Sequence, residues 1–205
     1  MSVFDERAKE WDKPDRIKMA EIITSCILAG LNPDRNMIGA DFGAGTGLVT
    51  LEIAKRVKHI TAIDSSEGML GILREKISVN GITNINTAAV EIELGATGFK
   101  ELDFIVSSMA IHHVKNIKTL AEVFYSMLKS DGKIALADLD KEDGSFHSQN
   151  PVGIWHSGFD REELNDIFSK VGFKDIKFTT AHNSPRKSET GEIKLYPVFL
   201  LLAKK

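Results

Sequence analysis

The stretch GADFGAGTGLVT, residues 39–50, places three glycines within five positions: Gly43, Gly45 and Gly47. An apolar run from Met37 leads into it, and Leu48, Leu51, Ala54 and Val57 follow at helical spacing. The reading is a buried strand, a bare turn and a helix. Glycine costs conformational entropy on folding, so three together imply a need for positive φ or for a ligand pressed against the backbone. A nucleotide P-loop would read Gly-x4-Gly-Lys-Ser/Thr, and no such run occurs. A dinucleotide fold would read Gly-x-Gly-x-x-Gly, but Leu48 stands where the third glycine belongs. Asp41 sits two residues before the first glycine, where a carboxylate repels a pyrophosphate and suits an ammonium or sulfonium group. Asp64 ends the next apolar strand, where an acidic side chain accepts hydrogen bonds from ribose hydroxyls. The turn therefore asks for a ribose-bearing ligand with positive charge and without phosphate.

The pattern outside the turn is an alternation of strands and helices. Pro14–Gly30 carries Ile17, Ala20, Ile23 and Ile27 on one helical face, continued by Leu31 and ended by Gly30. Strands are expected over 37–42, 60–63, 84–89, 102–106, 133–139, 175–180 and 198–203. Ser65 or Ser66 caps a helix facing the core with Met69, Leu70, Leu73 and Ile77, and Asn80-Gly81 ends it. Asn116 opens another helix, and Asp160 with Glu163 forms a capping box for the last. Such alternation predicts a mostly parallel sheet covered on both faces. The last two strands have no helix between them, so they pair as an antiparallel hairpin at one edge. The polar run HNSPRKSETGE between them reads as a loop. Residues 140–160 form the longest irregular stretch, a frequent place for function.

Of 205 residues, 42% are hydrophobic and 27% charged, enough for one core; the expectation is one domain over 1–205. The net charge of −3 shows no basic excess, so nucleic acid is not an expected partner. Cys26, the single cysteine, excludes an intramolecular disulfide and a Cys-based zinc site, and its apolar helical setting predicts a buried, inert thiol. The charged start, MSVFDERAKEWDK, is unlike a signal peptide, and no apolar run is long enough to span a bilayer. A soluble, cytoplasmic protein is expected.

Four stretches together resemble the class I S-adenosylmethionine-dependent methyltransferases. They are Asp41-Phe-Gly-Ala-Gly-Thr-Gly47, Asp64-Ser-Ser-x-x-Met69, Leu102-Asp-Phe-Ile-Val-Ser-Ser-Met-Ala-Ile-His-His-Val114 and Phe4-Asp-x-x-Ala-x-x-Trp-Asp12. The resemblance is to the small-molecule branch related to the ubiquinone/menaquinone-type (type 11) methyltransferases, and it covers nearly the whole chain in order. It implies an α/β, Rossmann-like, doubly wound sandwich with a seven-stranded, mostly parallel sheet, an antiparallel edge strand and an N-terminal helical lid over 1–32. It implies S-adenosylmethionine as methyl donor and S-adenosylhomocysteine as product. By this resemblance Asp41, Gly43, Ala44, Gly45 and Gly47 border the methionine end, and Asp64 binds the ribose hydroxyls. Ser65 and Met69 lie along the ribose and adenine, Ser107 and Met109 flank the transferred methyl, and Trp11 belongs to the lid. One position departs from the family: Val90 stands where an Asp beside the adenine amino group is common, leaving Glu91 as the substitute.

Methyl transfer from a sulfonium is an in-line displacement, helped chiefly by holding the acceptor in line. A weakly acidic acceptor also needs a base titrating near neutrality, which favours histidine. Four of six histidines fall in two segments, His112 and His113 after the fourth strand and His147 and His156 in the irregular stretch. His113 and His156 are the candidates for the base. No standard metal-ligand spacing occurs, so no metal site is expected. Phe4, Trp11, Ile154 and Trp155 suit an apolar or aromatic small-molecule acceptor. The alternatives are a cofactor-binding regulatory or scaffold protein without turnover, and an NAD-dependent oxidoreductase, which Leu48 and Asp41 disfavour.

Overall fold

Seven strands, most carrying buried residues on both faces, assemble into one sheet in the order β3-β2-β1-β4-β5-β7-β6. The computed structural model describes residues 3–91, 98–147, 153–187 and 192–205. The strands are β1 (Ile38–Phe42), β2 (His59–Asp64), β3 (Ile85–Ala89), β4 (Leu102–Ser108), β5 (Leu128–Leu139), β6 (Lys174–Lys187) and β7 (Ile193–Lys204). The helices are α1 (Val3–Arg7), α2 (Pro14–Leu31), α3 (Leu48–Ala54), α4 (Glu67–Val79), α5 (Ile117–Met127) and α6 (Arg161–Val171). Strands β1 to β5 run parallel. Strand β7 is antiparallel to both β5 and β6, so the expected edge hairpin forms, with the reversed strand one place in from the edge.

Alternation along the strands builds two cores. Ile105, Ile134 and Leu136 face α5 and α6 through Leu120, Phe124, Leu164 and Phe168. Phe104, Val106, Ala135 and Ala137 face α2, α3 and α4 through Ile23, Ile27, Ile53 and Leu70. The doubly covered parallel sheet accounts for the unbroken apolar runs in the sequence. The caps read from the sequence form: Ser66 accepts from the Met69 N–H, Asn116 from the Thr119 N–H, and Asp160 from the Glu162 and Glu163 N–H groups.

The structure corrects three expectations. Residues 182–187, read as loop, continue β6 and pair with Ile193–Val198 of β7, while 188–191 lie outside the described residues. This extension projects past β5 with mostly polar, exposed side chains, so it shows no apolar alternation, and Pro185 is tolerated because β6 is an edge strand. Helix α2 ends at Leu31 rather than Gly30, closed by Asn32 in the left-handed region at φ 48°. Cys26 is half-buried and its thiol donates to the Ala181 carbonyl at 3.7 Å. Within the expected 1–32 lid, α2 is a layer helix of the sheet, with Ile23, Ile27 and Leu31 in the core. Trp11 and Asp12 of the preceding segment reach the glycine turn. No helix among the described residues is long and apolar enough to cross a membrane.

Candidate active site

Strand β1 delivers Asp41 and the glycine turn to the carboxyl edge of the sheet. Gly43, Gly45 and Gly47 all take positive φ, at 67°, 54° and 83°, so the turn needs residues without a Cβ. The Gly43 and Ala44 N–H groups donate to the Ile63 carbonyl at 2.8 and 3.1 Å, tying the turn to β2. A Cβ at Gly43 would come within 2.2 Å of the Ala110 Cβ, and one at Gly47 within 2.2 Å of the Leu73 Cδ1. Gly45 differs: within 4 Å a Cβ there would meet only the Trp11 indole nitrogen, at 3.9 Å. The middle glycine leaves open space over the turn, and Trp11 roofs it.

The two acidic residues divide the work. Asp41 is buried, accepts from the Thr50 hydroxyl at 2.6 Å, and is pushed up to about 7 by burial, with the nearby Asp64 adding to the rise. Asp64 accepts from the Gly45 N–H and the Ser66 N–H, both at 2.8 Å, through different oxygens. Burial raises its pKa against those bonds. Ser65 is exposed beside it, whereas Met69 is 2% exposed on the inner face of α4. Glu91 is exposed, and the Val90 N–H donates to the Asp64 carbonyl. Ser107, at the end of β4, is buried with no partner for its hydroxyl among the described residues. Met109 takes φ 55° and donates its N–H to the Ala137 carbonyl.

The N-terminal segment is fastened over this turn by carboxylates. Asp5 accepts from the Ser66 hydroxyl at 2.6 Å and the Gly68 N–H at 2.9 Å, at the start of α4. Asp12 accepts from the Thr46 hydroxyl at 2.5 Å and pairs with Lys76 at 2.6 Å. Phe4 then stands edge-on to Trp11, centroids 5.9 Å apart, and to His113 at 5.0 Å.

Three imidazoles meet at the ends of β4 and β5. The His112 ring lies 4.1 Å from His113 and 4.8 Å from His147 between centroids. Burial, and then neighbouring His112, lower His113 and His147 to about 4, so both are neutral at pH 7. His113 Nδ1 lies 2.8 Å from the Gly153 carbonyl; a carbonyl only accepts, so this nitrogen carries the proton. His156 Nε2 donates likewise to the Val114 carbonyl at 3.0 Å, and its ring packs on Phe159. His156 therefore sits apart from the three-ring cluster, beside a cavity of about 440 Å³ between the start of α5 and α6. Trp155 points outward, 57% exposed, with Lys115 over its ring, and Ile154 is half-buried. Residues 148–152 of the irregular segment lie outside the described residues.

A family model described as a methyltransferase domain matches residues 17–177. The chain belongs to the class I S-adenosylmethionine-dependent methyltransferases. An uncharacterized methyltransferase of Schizosaccharomyces pombe is 29% identical over 151 residues, covering 67% of this chain and 53% of that protein. A ubiquinone/menaquinone biosynthesis C-methyltransferase of Allorhizobium ampelinum is 26% identical over 149 residues, covering 68% of this chain and 57% of that protein. Phosphoethanolamine N-methyltransferase 2 of Haemonchus contortus, solved with S-adenosyl-L-methionine, matches with a TM-score of 0.74 at 16% identity, over 100% of this chain and 60% of that one. The chain spans about half the length of the curated relatives it matches.

Several residues of this methyltransferase site escaped the sequence reading. Asp5 and Asp12 stand in the Phe4–Asp12 motif without an assigned role, and Lys76 carries no local signal, yet all three fasten the lid. Arg16 stacks on Trp11 at 4.0 Å and Arg186 on Phe146 at 4.4 Å. Phe146 in turn meets His147 at 4.7 Å. Asp138, which no local pattern marks, is buried against His112 in the fold. Helical and strand periodicity carry no signal for any of these contacts.

Proposed function

We propose that this domain binds S-adenosylmethionine against the glycine turn and transfers its methyl group to a small-molecule acceptor held at the ends of β4 and β5. The observation that carries this reading is the Gly43–Gly47 turn, left open at Gly45, with Asp64 beside it and Trp11 above. The residues present fit such a ligand. The Asp64 oxygens accept from main-chain N–H groups and retain acceptor capacity for a ribose hydroxyl. The Ser107 hydroxyl has no partner among the described residues, and polar groups this deep are nearly always satisfied. Asp41, Gly43, Ala44, Gly45 and Gly47 border the methionine end in this reading, with Met109 at the methyl. Ser65, Met69 and Glu91 lie along the ribose and adenine; the burial of Met69 and the exposure of Ser65 and Glu91 make Met69 the apolar wall and the other two the rim.

The bound donor supplies an electrophilic methyl on a sulfonium. The chain supplies the rest: Trp11 and Phe4 cover the turn and exclude water, and the aromatic and imidazole walls orient the acceptor. An imidazole serves as base where the acceptor has a proton to lose. The small-molecule acceptor is supported by the aromatic and imidazole rings gathered at this edge, Phe4, Trp11, His113 and His147. Similarity to a ubiquinone/menaquinone biosynthesis C-methyltransferase and to a 2-methyl-6-phytyl-1,4-hydroquinone methyltransferase points the same way. The ordinary net charge offers no footprint for nucleic acid.

Thermal unfolding with S-adenosylhomocysteine, S-adenosylmethionine and NAD added separately tests the reading. A ligand at a hundred times its dissociation constant adds about 2.7 kcal/mol. For a domain of this size that raises the melting temperature by roughly 5–10 °C. A rise with the adenosyl ligands alone is expected; a rise with NAD alone overturns the assignment.

A further inference from the structure

Among the described residues, four buried side-chain polar atoms lack a hydrogen-bond partner: Ser107 Oγ, His112 Nε2, Glu142 Oε1 and His147 Nε2. All four belong to the carboxyl edge of β4 and β5 and the segments that follow them. Ser107 and Asp138 lie on the same sheet face, in the alternation of Ile105 and of Ile134 and Leu136. His147 touches His112 ring to ring, and the main-chain N–H next to it, that of Phe146, is held by the other oxygen of Glu142. Unpaired buried polar atoms are costly singly, and four at one edge mark a place built for polar atoms of something other than the chain.

The His112 side chain is 2% exposed and that of Asp138 0% exposed. His112 Nδ1 lies 2.7 Å from Asp138 Oδ1, and the His112 N–H donates to Asp138 Oδ2 at 3.2 Å. The Leu139 N–H fixes the same carboxylate at 2.7 Å. Burial alone would raise Asp138, but the His112 ring and these N–H groups hold it below the usual carboxylate range, so it stays ionised. An ionised carboxylate accepts the Nδ1 proton, which fixes the ring's rotation and leaves Nε2, buried and without a partner among the described residues, facing the open edge.

We propose that His112 is the base that takes the acceptor's proton, that Asp138 is its positioning residue, and that the acceptor presents an acidic hydroxyl to Nε2. This rests on the methyl-transfer reading above. As the acceptor oxygen bonds to the methyl carbon, the carbon–sulfur bond breaks and sulfur keeps the electron pair. The hydroxyl proton passes to Nε2, and the positive charge lost from sulfur reappears on an imidazolium held against Asp138. His113 lacks this arrangement, because its Nδ1 is spent on the neutral Gly153 carbonyl and no carboxylate is hydrogen-bonded to the ring among the described residues. A neutral amine has its lone pair ready and needs no such base, which is why the pair selects a hydroxyl.

The test uses the full chain saturated with S-adenosylhomocysteine and 4-nitrophenol as probe, read by the nitrophenolate absorbance below the free probe's pKa. Calorimetry with S-adenosylhomocysteine comes first; no binding there refutes the methyl-transfer reading itself. With the product bound, wild type is expected to develop the nitrophenolate band. H59Q, at the start of β2 and away from the carboxyl edge, is expected to keep it, and H112Q to lose it by at least tenfold. D138N, which preserves side-chain shape, is expected to lose it similarly with product affinity held within twofold, which separates proton transfer from misfolding. Nitrogen-15 spectra of the rings are expected to show the His112 proton on Nδ1 in wild type and displaced to Nε2 in D138N. An equal band in H112Q, no band in wild type, or a wild-type His112 proton on Nε2 overturns the proposal.

Discussion

Replacing Gly45 by alanine separates what the glycine turn does for folding from what it does for binding. The residue takes φ 54°, and a non-glycine residue in the left-handed region costs roughly 1–2 kcal/mol. Its new Cβ meets no atom closer than 3.9 Å, so strain is the whole penalty to the fold. Gly43→Ala carries the same strain at φ 67° and adds a Cβ 2.2 Å from the Ala110 Cβ, where carbon atoms ordinarily rest about 3.5–4.0 Å apart. Relieving that overlap means moving the turn after β4, a further ~1–3 kcal/mol. Gly47→Ala at φ 83° is intermediate, because the Leu73 Cδ1 it strikes is the end of a side chain that can turn. At roughly 2–4 °C per kcal/mol for a chain of this size, G45A should melt about 2–8 °C below wild type and G43A about 4–20 °C below. Binding should reverse the contrast. The Gly45 methyl stands in the space under Trp11, so G45A should weaken S-adenosylhomocysteine at least tenfold, about 1.4 kcal/mol, while losing little stability. Differential scanning calorimetry and isothermal titration measure the two effects on the same samples. The reasoning is refuted if G45A melts as low as G43A, or if it binds the product within twofold of wild type.

Asp41 makes stability depend on pH. Its folded pKa of about 7 lies above the unfolded ~3.9, so the fold holds a proton that the unfolded chain has released; the contribution is full below pH ~4 and is lost as pH rises through 7. About three pH units correspond to ~4 kcal/mol, so urea unfolding at pH 5, 6.5 and 8 should show wild type losing stability relative to D41N. D5A removes the acceptor of the Ser66 hydroxyl and the Gly68 N–H; it should cost about 1 kcal/mol, as a lost helix cap does, and raise amide exchange in residues 4–11. Unchanged exchange there would mean that Asp5 does not fasten the lid. Arg161 grips Asp140 with two bonds of 2.7 Å, tying the start of α6 to the chain leaving β5. R161K keeps the charge but loses the planar fork, so it should lower the melting temperature by ~2–4 °C, about 1 kcal/mol after allowing for partial exposure.

What could be read without coordinates, and what could not, follows from where each residue's constraint originates. Val106, Leu136 and Ala62 are buried because both faces of a parallel strand are covered, and that constraint is written locally as an apolar run. Ser66, Asn116 and Asp160 satisfy N–H groups two or three residues away, so their roles too are local and legible. The glycines declare themselves because no other residue takes their φ without strain. His112 and Asp138 are another matter. They stand 26 positions apart, and their pairing exists only because β4 and β5 end side by side. The sequence reading favoured His113 and His156, since nothing in a run of two histidines says which ring turns inward toward a carboxylate. The β6–β7 extension was missed for a related reason: the face it turns inward carries His182, Ser184 and Arg186, so its alternation is polar and writes no apolar pattern. The scaffold is thus coded by short-range patterns, while the chemistry is coded by convergence. Phe4 and Trp11 from the lid, His112 and His113 after β4, His147 after β5 and Arg186 from the hairpin come from four separate stretches of chain. Each must be carried to the same edge before its role exists. That is why the acceptor-side residues are the ones on which mutagenesis is most informative: the fold constrains their positions through neighbours, and leaves their identities to the substrate.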